Sequence, residues 1–97
     1  MILIRDIFHL HFGKAKEAKV LLKEGSEINQ KFGFPARRTL SDLTGHSYTL
    51  VLESEWQSLA DWENAVKTVF GKEEWQKWYQ KLIPLIHSAS REIFTIT

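Results

Sequence analysis

Asp6 is the residue whose placement most invites chemistry. It interrupts an apolar series, Ile2, Ile4, Phe8 and Leu10, that alternates along one face of an extended N-terminal segment. A carboxylate among apolar groups must be hydrogen-bonded, ion-paired or protonated, and desolvation pushes its pKa upward, which is how a general acid or base is tuned. The same position also suits a structural role, paired with Arg37, Arg38 or Arg91 on a neighbouring strand or placed at a bulge. Four tryptophans in 97 residues, Trp56, Trp62, Trp75 and Trp78, offer either a bulky core or the walls of a pocket for a flat apolar molecule. His9 and His11 share one strand face at a spacing of two, which can place two imidazoles on one metal. A third ligand would have to come from His46, His87 or a carboxylate, and no second metal-type motif accompanies them. A polar edge or interface is therefore the expected use of the pair, and no metal is expected. Arg37 and Arg38 could meet an anionic substrate or serve as solvated charges that protect a strand edge.

Composition narrows the classes of function. With 13 basic and 12 acidic residues the net charge is +1, so no global field recruits nucleic acid or anionic lipid. The absence of cysteine removes disulfide scaffolds, thiolate metal sites and cysteine nucleophiles. A 43% hydrophobic and 26% charged chain of this length suits one globular domain spanning residues 1–97. No apolar run is long enough to span a bilayer, and the N-terminus lacks the pattern of a signal peptide, which points to a cytoplasmic protein.

The elements that must position these residues follow from periodicity. Residues 2–12 read as a strand. From Lys14 to about Phe32, Ala15, Ala18, Leu21, Leu22, Ile28 and Phe32 recur at helical spacing, with Gly25 on or beside the stripe permitting close packing and Gly33 as the stop. Residues 36–43 and 46–54 read as strands of a hairpin around Thr44 and Gly45. Ser58 with Asp61 resembles a capping box opening a helix whose stripe is Leu59, Trp62, Val66, Val69 and Phe70. Gly71 interrupts; Trp75, Trp78, Tyr79, Leu82, Ile83 and Ile86 form a second stripe that Pro84 should kink or end. Residues 89–97 close the chain as a strand, with His87 near its start. The order βαββαβ is a ferredoxin-like α+β plan, a four-stranded antiparallel sheet with its helices on one face. Strand one is apolar on both faces, and Val51 opposes Leu50 and Leu52, so the helix-free face also needs cover. A second copy related by two-fold symmetry, sheet against sheet, is the expected partner.

This element order, together with the stretch Val51-Leu52-Glu53-Ser54-Glu55-Trp56-Gln57-Ser58-Leu59-Ala60-Asp61-Trp62, resembles the dimeric α+β barrel superfamily, in particular its antibiotic-biosynthesis-monooxygenase-like and heme-degrading-monooxygenase-like branches. The resemblance implies a homodimeric barrel with a pocket between sheet and helices. In the heme-degrading branch an Asn on strand one, a helix Trp and a helix His line that pocket. Asp6 and Trp62 occupy the first two positions here, whereas the region of the histidine reads Phe70-Gly71-Lys72-Glu73. The expectation is a site without a cofactor, in which Asp6 is the catalytic acid or base and Phe8, Trp62, Trp78 and His87 contact a small apolar or aromatic ligand. Cofactor-independent oxidation or isomerisation is the reaction the resemblance implies; a non-catalytic binding or assembly module of the same fold is the alternative. RNA-recognition motifs share the plan, but the equivalent central strand, residues 47–53, carries only Tyr48 and ends acidic, so nucleic acid is not an expected partner.

Overall fold

The computed structural model describes residues 1–97. The element order is β1 (Ile2–Leu10), α1 (Ala15–Lys31), β2 (Arg38–Ser41), β3 (Thr49–Trp56), α2 (Leu59–Phe70), α3 (Glu73–Leu82), a short 3-10 turn (Ile83–Leu85) and β4 (Ile86–Thr95). The strands form one sheet in the order β2-β3-β1-β4, all pairings antiparallel. This is the ferredoxin-like α+β arrangement that the periodicity implies.

The helix boundaries have local causes. α1 ends where Gly33 takes a left-handed φ of 87°, letting its N–H reach the Gln30 carbonyl and the Phe34 N–H reach that of Asn29. This close places Asn29 and Phe34 side by side at the end of the helix. α2 opens at Ser58, whose Oγ accepts from the Asp61 N–H at 3.2 Å. Pro84 stops α3 by converting the chain to the 3-10 turn that feeds β4.

The edges differ from the sequence reading in ways that hydrogen bonding explains. β1 stops at Leu10, because the Leu10 and His11 N–H groups turn to the carbonyls of Tyr48 and Leu85. The β2–β3 hairpin has no tight turn at Thr44 and Gly45. Residues 42–48 form a wider loop, tied by the Thr49 N–H to Asp42 Oδ1 at 2.9 Å and by Thr49 Oγ1 to the His46 carbonyl at 2.8 Å. β4 begins three residues earlier than the 89–97 reading, at Ile86.

Even-numbered residues of β1 face the helices. Leu10, Leu50 and Leu52 join Ala18, Leu22 and Ile28 of α1 and Trp78 and Leu82 of α3 in one buried cluster. Trp78 packs its indole on Gly25 and donates its Nε1–H to the Leu21 carbonyl at 2.7 Å, so the missing side chain at position 25 is what lets α1 and α3 meet. On the opposite face the register sets Ile7, Val51 and Leu40 in a row and Leu3 beside Phe94. Leu40 and Phe94 stay 39% and 42% exposed there. Beside them Glu53 is only 4% exposed, because the Arg5 and Arg38 side chains lie over its carboxylate.

Candidate functional site

α2 buries a single residue, Val69, completely, because the rest of its inner face borders a void. The void has a volume of about 570 Å³ and 18 lining residues, 13 of them hydrophobic, which is the make-up of a small-molecule site. The sheet supplies its floor with Asp6, Phe8, Leu52, Ala89 and Arg91; α1, α2 and α3 supply the walls. Phe70, Trp75 and Tyr79 stack in sequence along one wall, with ring centroids 4.1 and 4.8 Å apart.

The charged side chains bordering the cavity are Asp6, Arg37 and Arg91. Arg91 faces Asp6 across β1–β4 and donates from Nε to Asp6 Oδ1 at 2.5 Å. Its guanidinium also lies 4.8 Å from the Trp62 ring centroid, a cation–π distance. Arg91 thus couples the carboxylate on the sheet to the indole on α2. Arg37 approaches the other oxygen, Asp6 Oδ2, at 3.7 Å, too far for a hydrogen bond, and sits 5.3 Å from the Phe34 ring. Burial holds the Arg37 guanidinium below the usual arginine range; Asp6 opposes that shift and Arg91 reinforces it.

Arg37 and Arg38, adjacent in sequence, lie on opposite faces of the sheet. Arg37 borders the cavity, while Arg38 donates to Glu53 on the opposite face, where Arg5 Nε also donates to Glu53 at 2.8 Å. These two arginines hold the Glu53 carboxyl below the ordinary carboxylate range.

Four of the five site residues nominated from the sequence border the cavity: Asp6, Phe8, Trp62 and Trp78. Trp78 also belongs to the buried cluster, with its N–H satisfied by α1. His87 does not border it. The register shift between His9 and Leu10 leaves His87 as the unpaired bulge residue, and its exposed imidazole lies edge-to-face against His11 at 5.6 Å. Of the five nominated residues, His87 alone stands apart from the cavity. His9 stacks instead on His46 at 4.2 Å, so the four histidines form two separate pairs. No three His, Asp or Glu side chains cluster closely enough to hold a metal ion. No histidine borders the cavity, so its residues do not fit a histidine-ligated heme.

The structure adds Asn29, which the sequence reading passed over as one polar position on a helix. It is 5% exposed, borders the cavity, and its Oδ1 has no hydrogen-bond partner. The available signal was its position one helical turn before the glycine stop, on the stripe side next to Ile28.

No protein-family model and no curated protein matches the sequence. Among solved structures, a NIPSNAP family protein from Agrobacterium tumefaciens superposes with a TM-score of 0.91 at 21% identity, covering 99% of this chain and 92% of that one. A NIPSNAP domain protein from Burkholderia xenovorans gives 0.88 at 11% identity, covering 100% and 95%. An antibiotic biosynthesis monooxygenase gives 0.76 at 11%, covering 100% and 99%. The chain therefore has the ferredoxin-like fold of the dimeric α+β barrel proteins, as the resemblance in its sequence implies. Its shape is similar both to NIPSNAP proteins, a likeness absent from its sequence motifs, and to antibiotic biosynthesis monooxygenases. At these identities the likeness establishes architecture and leaves chemistry to the site. No helix is long and apolar enough to cross a membrane.

Proposed function

We propose that this protein is a homodimer that binds a small apolar or aromatic molecule in the cavity between its sheet and its helices. The observation that carries the reading is the cavity itself: about 570 Å³, walled by aromatic and aliphatic side chains, with its charged groups confined to Asp6, Arg37 and Arg91. A concave, mostly apolar space of this size with a few convergent polar groups is the usual form of a small-molecule site. Dimerisation rests on the row Ile7, Val51 and Leu40 and the adjacent Leu3 and Phe94, an apolar face that a second copy covers by two-fold symmetry.

The chemistry open to such a site is proton transfer. A ligand C–H or O–H acidic enough to ionise gives its proton to Asp6, and Arg37 and Arg91 stabilise the negative charge left on the ligand. The carbanion, or the ring carbon of a conjugated phenolate, passes one electron to dioxygen; the radical pair joins in a C–O bond and Asp6 returns its proton to give a hydroperoxide, a cofactor-independent oxidation in keeping with the likeness to antibiotic biosynthesis monooxygenases. One observation favours the second reading, a binding module without turnover. Asp6 Oδ1 already accepts from Arg91 Nε at 2.5 Å, so a ligand must compete with that bond for the carboxylate.

Light scattering on the purified protein should report twice the chain mass at micromolar concentration; lone protomers would overturn the dimer. Titration with methyl naphthoate, followed by amide NMR, should shift the Trp62 and Trp78 indole N–H signals and the amides of Asp6 and Phe8. Shifts confined to other regions, or none at millimolar probe, would overturn the cavity reading.

A further inference from the structure

We infer that the ligand is an acid: a flat apolar body carrying a carboxylate that Arg37 grips and a hydroxyl that Asn29 receives. This inference rests on the proposed cavity and names the class of its occupant. Two independent observations on the cavity's lining carry it.

The first is Arg37. Its side chain is 18% exposed, yet its guanidinium makes no hydrogen bond within the protein, and its nearest anion, Asp6, stands at 3.7 Å and already accepts from Arg91. Arginine carries five N–H donors in a planar fork, and with no acceptor on the protein the fork is free to meet one on a ligand. A carboxylate matches that fork with two parallel bonds. The charges bordering the cavity point the same way. Arg37 and Arg91 contribute two positive charges against one negative from Asp6, so the lining carries a net single positive charge. A neutral apolar molecule would bury that charge further without answering it, whereas a monoanion balances the site.

The second is Asn29. Its amide oxygen is buried and unpartnered, and such atoms are rare enough in folded proteins that each calls for an explanation. Asn29 borders the same cavity, so rotation of its amide brings the oxygen to a group on the ligand. A hydroxyl both donates and accepts, so it satisfies the amide in either orientation. The aromatic wall of Phe70, Trp75 and Tyr79 accounts for the flat body.

Isothermal titration with naphthoate, its methyl ester and a series of hydroxynaphthoates tests the inference on the intact protein. Naphthoate should bind at least about tenfold more tightly than the ester, the effect of one charge-assisted hydrogen bond. Arg37→Gln should bring naphthoate to the affinity of the ester, while Arg37→Lys retains part of the preference. At least one hydroxynaphthoate should bind several-fold more tightly than naphthoate, and Asn29→Ala should erase that gain. Should Arg37→Gln fail to fold, the wild type still decides: naphthoate affinity should fall as salt is raised while ester affinity does not. Ester binding as tight as naphthoate binding would overturn the acid preference and leave the cavity reading standing. Acid preference that survives Arg37→Gln would overturn the role of Arg37. Absence of binding by every probe at millimolar concentration would instead overturn the cavity reading on which the inference rests.

Discussion

Replacing Gly25 with alanine tests the packing that sets the cavity's width, and two opposing effects give the outcome a definite sign. In an isolated helix the change is favourable by up to about 1 kcal/mol, because alanine loses less backbone entropy than glycine. In this fold the added Cβ would fall onto the six-membered ring of the Trp78 indole, well inside contact distance of three ring atoms. The ring cannot retreat cheaply: its Nε1–H is bonded to the Leu21 carbonyl at 2.7 Å, and it packs beside Trp75. Overpacking of this kind costs about 1–3 kcal/mol, and loss of the indole hydrogen bond adds about 1 kcal/mol. After the helix gain is subtracted, the variant should be less stable by about 1–3 kcal/mol. Urea denaturation followed by tryptophan fluorescence measures this, at one fixed protein concentration because association shifts the midpoint. In a Trp78→Phe background the colliding atoms are gone, so the same alanine should be neutral or stabilising. A single Gly25→Ala variant as stable as wild type, or more so, would refute the close α1–α3 approach, and with it the position of Trp78 on the cavity wall.

Three further outcomes follow from the site and its supports. Glu53 is held below the ordinary carboxylate range by Arg38 and Arg5, so its contribution to stability is complete above the unfolded-state glutamate pKa and is lost as pH falls through the lowered folded-state value. The urea midpoint of the wild type should therefore drop on acidification below the usual glutamate range, and Glu53→Gln should be less stable at neutral pH with a flatter profile across that window. Asp6→Asn leaves Arg37 and Arg91 without their shared anion and should destabilise by about 1–3 kcal/mol in thermal or urea unfolding, part of the full penalty because Arg91 is half-exposed. Ser58→Ala removes the side-chain cap of α2 and should lower stability by about 1 kcal/mol in the same assay, whereas Ser58→Asp should restore it.

Local physics made most of the architecture legible in the sequence. The alternation through Ile2, Ile4, Phe8 and Leu10, the glycine stop at Gly33, the Ser58 cap and the break at Pro84 each depend on groups a few residues apart, so the order of elements is legible without any distant contact. Asp6 stood out for the same reason, as a charge interrupting an apolar period. What depends on distant partners was not legible. His87 was placed near the site because it stands at the head of the last strand, but a one-residue bulge opposite His9 and Leu10 turns it toward His11. The neighbours Arg37 and Arg38 carry the same charge at consecutive positions, and only the pairing of Arg38 with Glu53 and the opening beneath α2 assign one to each face. Asn29 looked like any polar helix position until packing removed its water and gave it no partner. The sequence by itself determined which segments become helix and strand and where they stop, since backbone propensity, caps and period act within a turn or two of the chain. Only the tertiary structure decided which polar groups are buried together and which are left unanswered, because desolvation and charge pairing depend on neighbours that lie tens of residues away and meet only when the sheet and helices close.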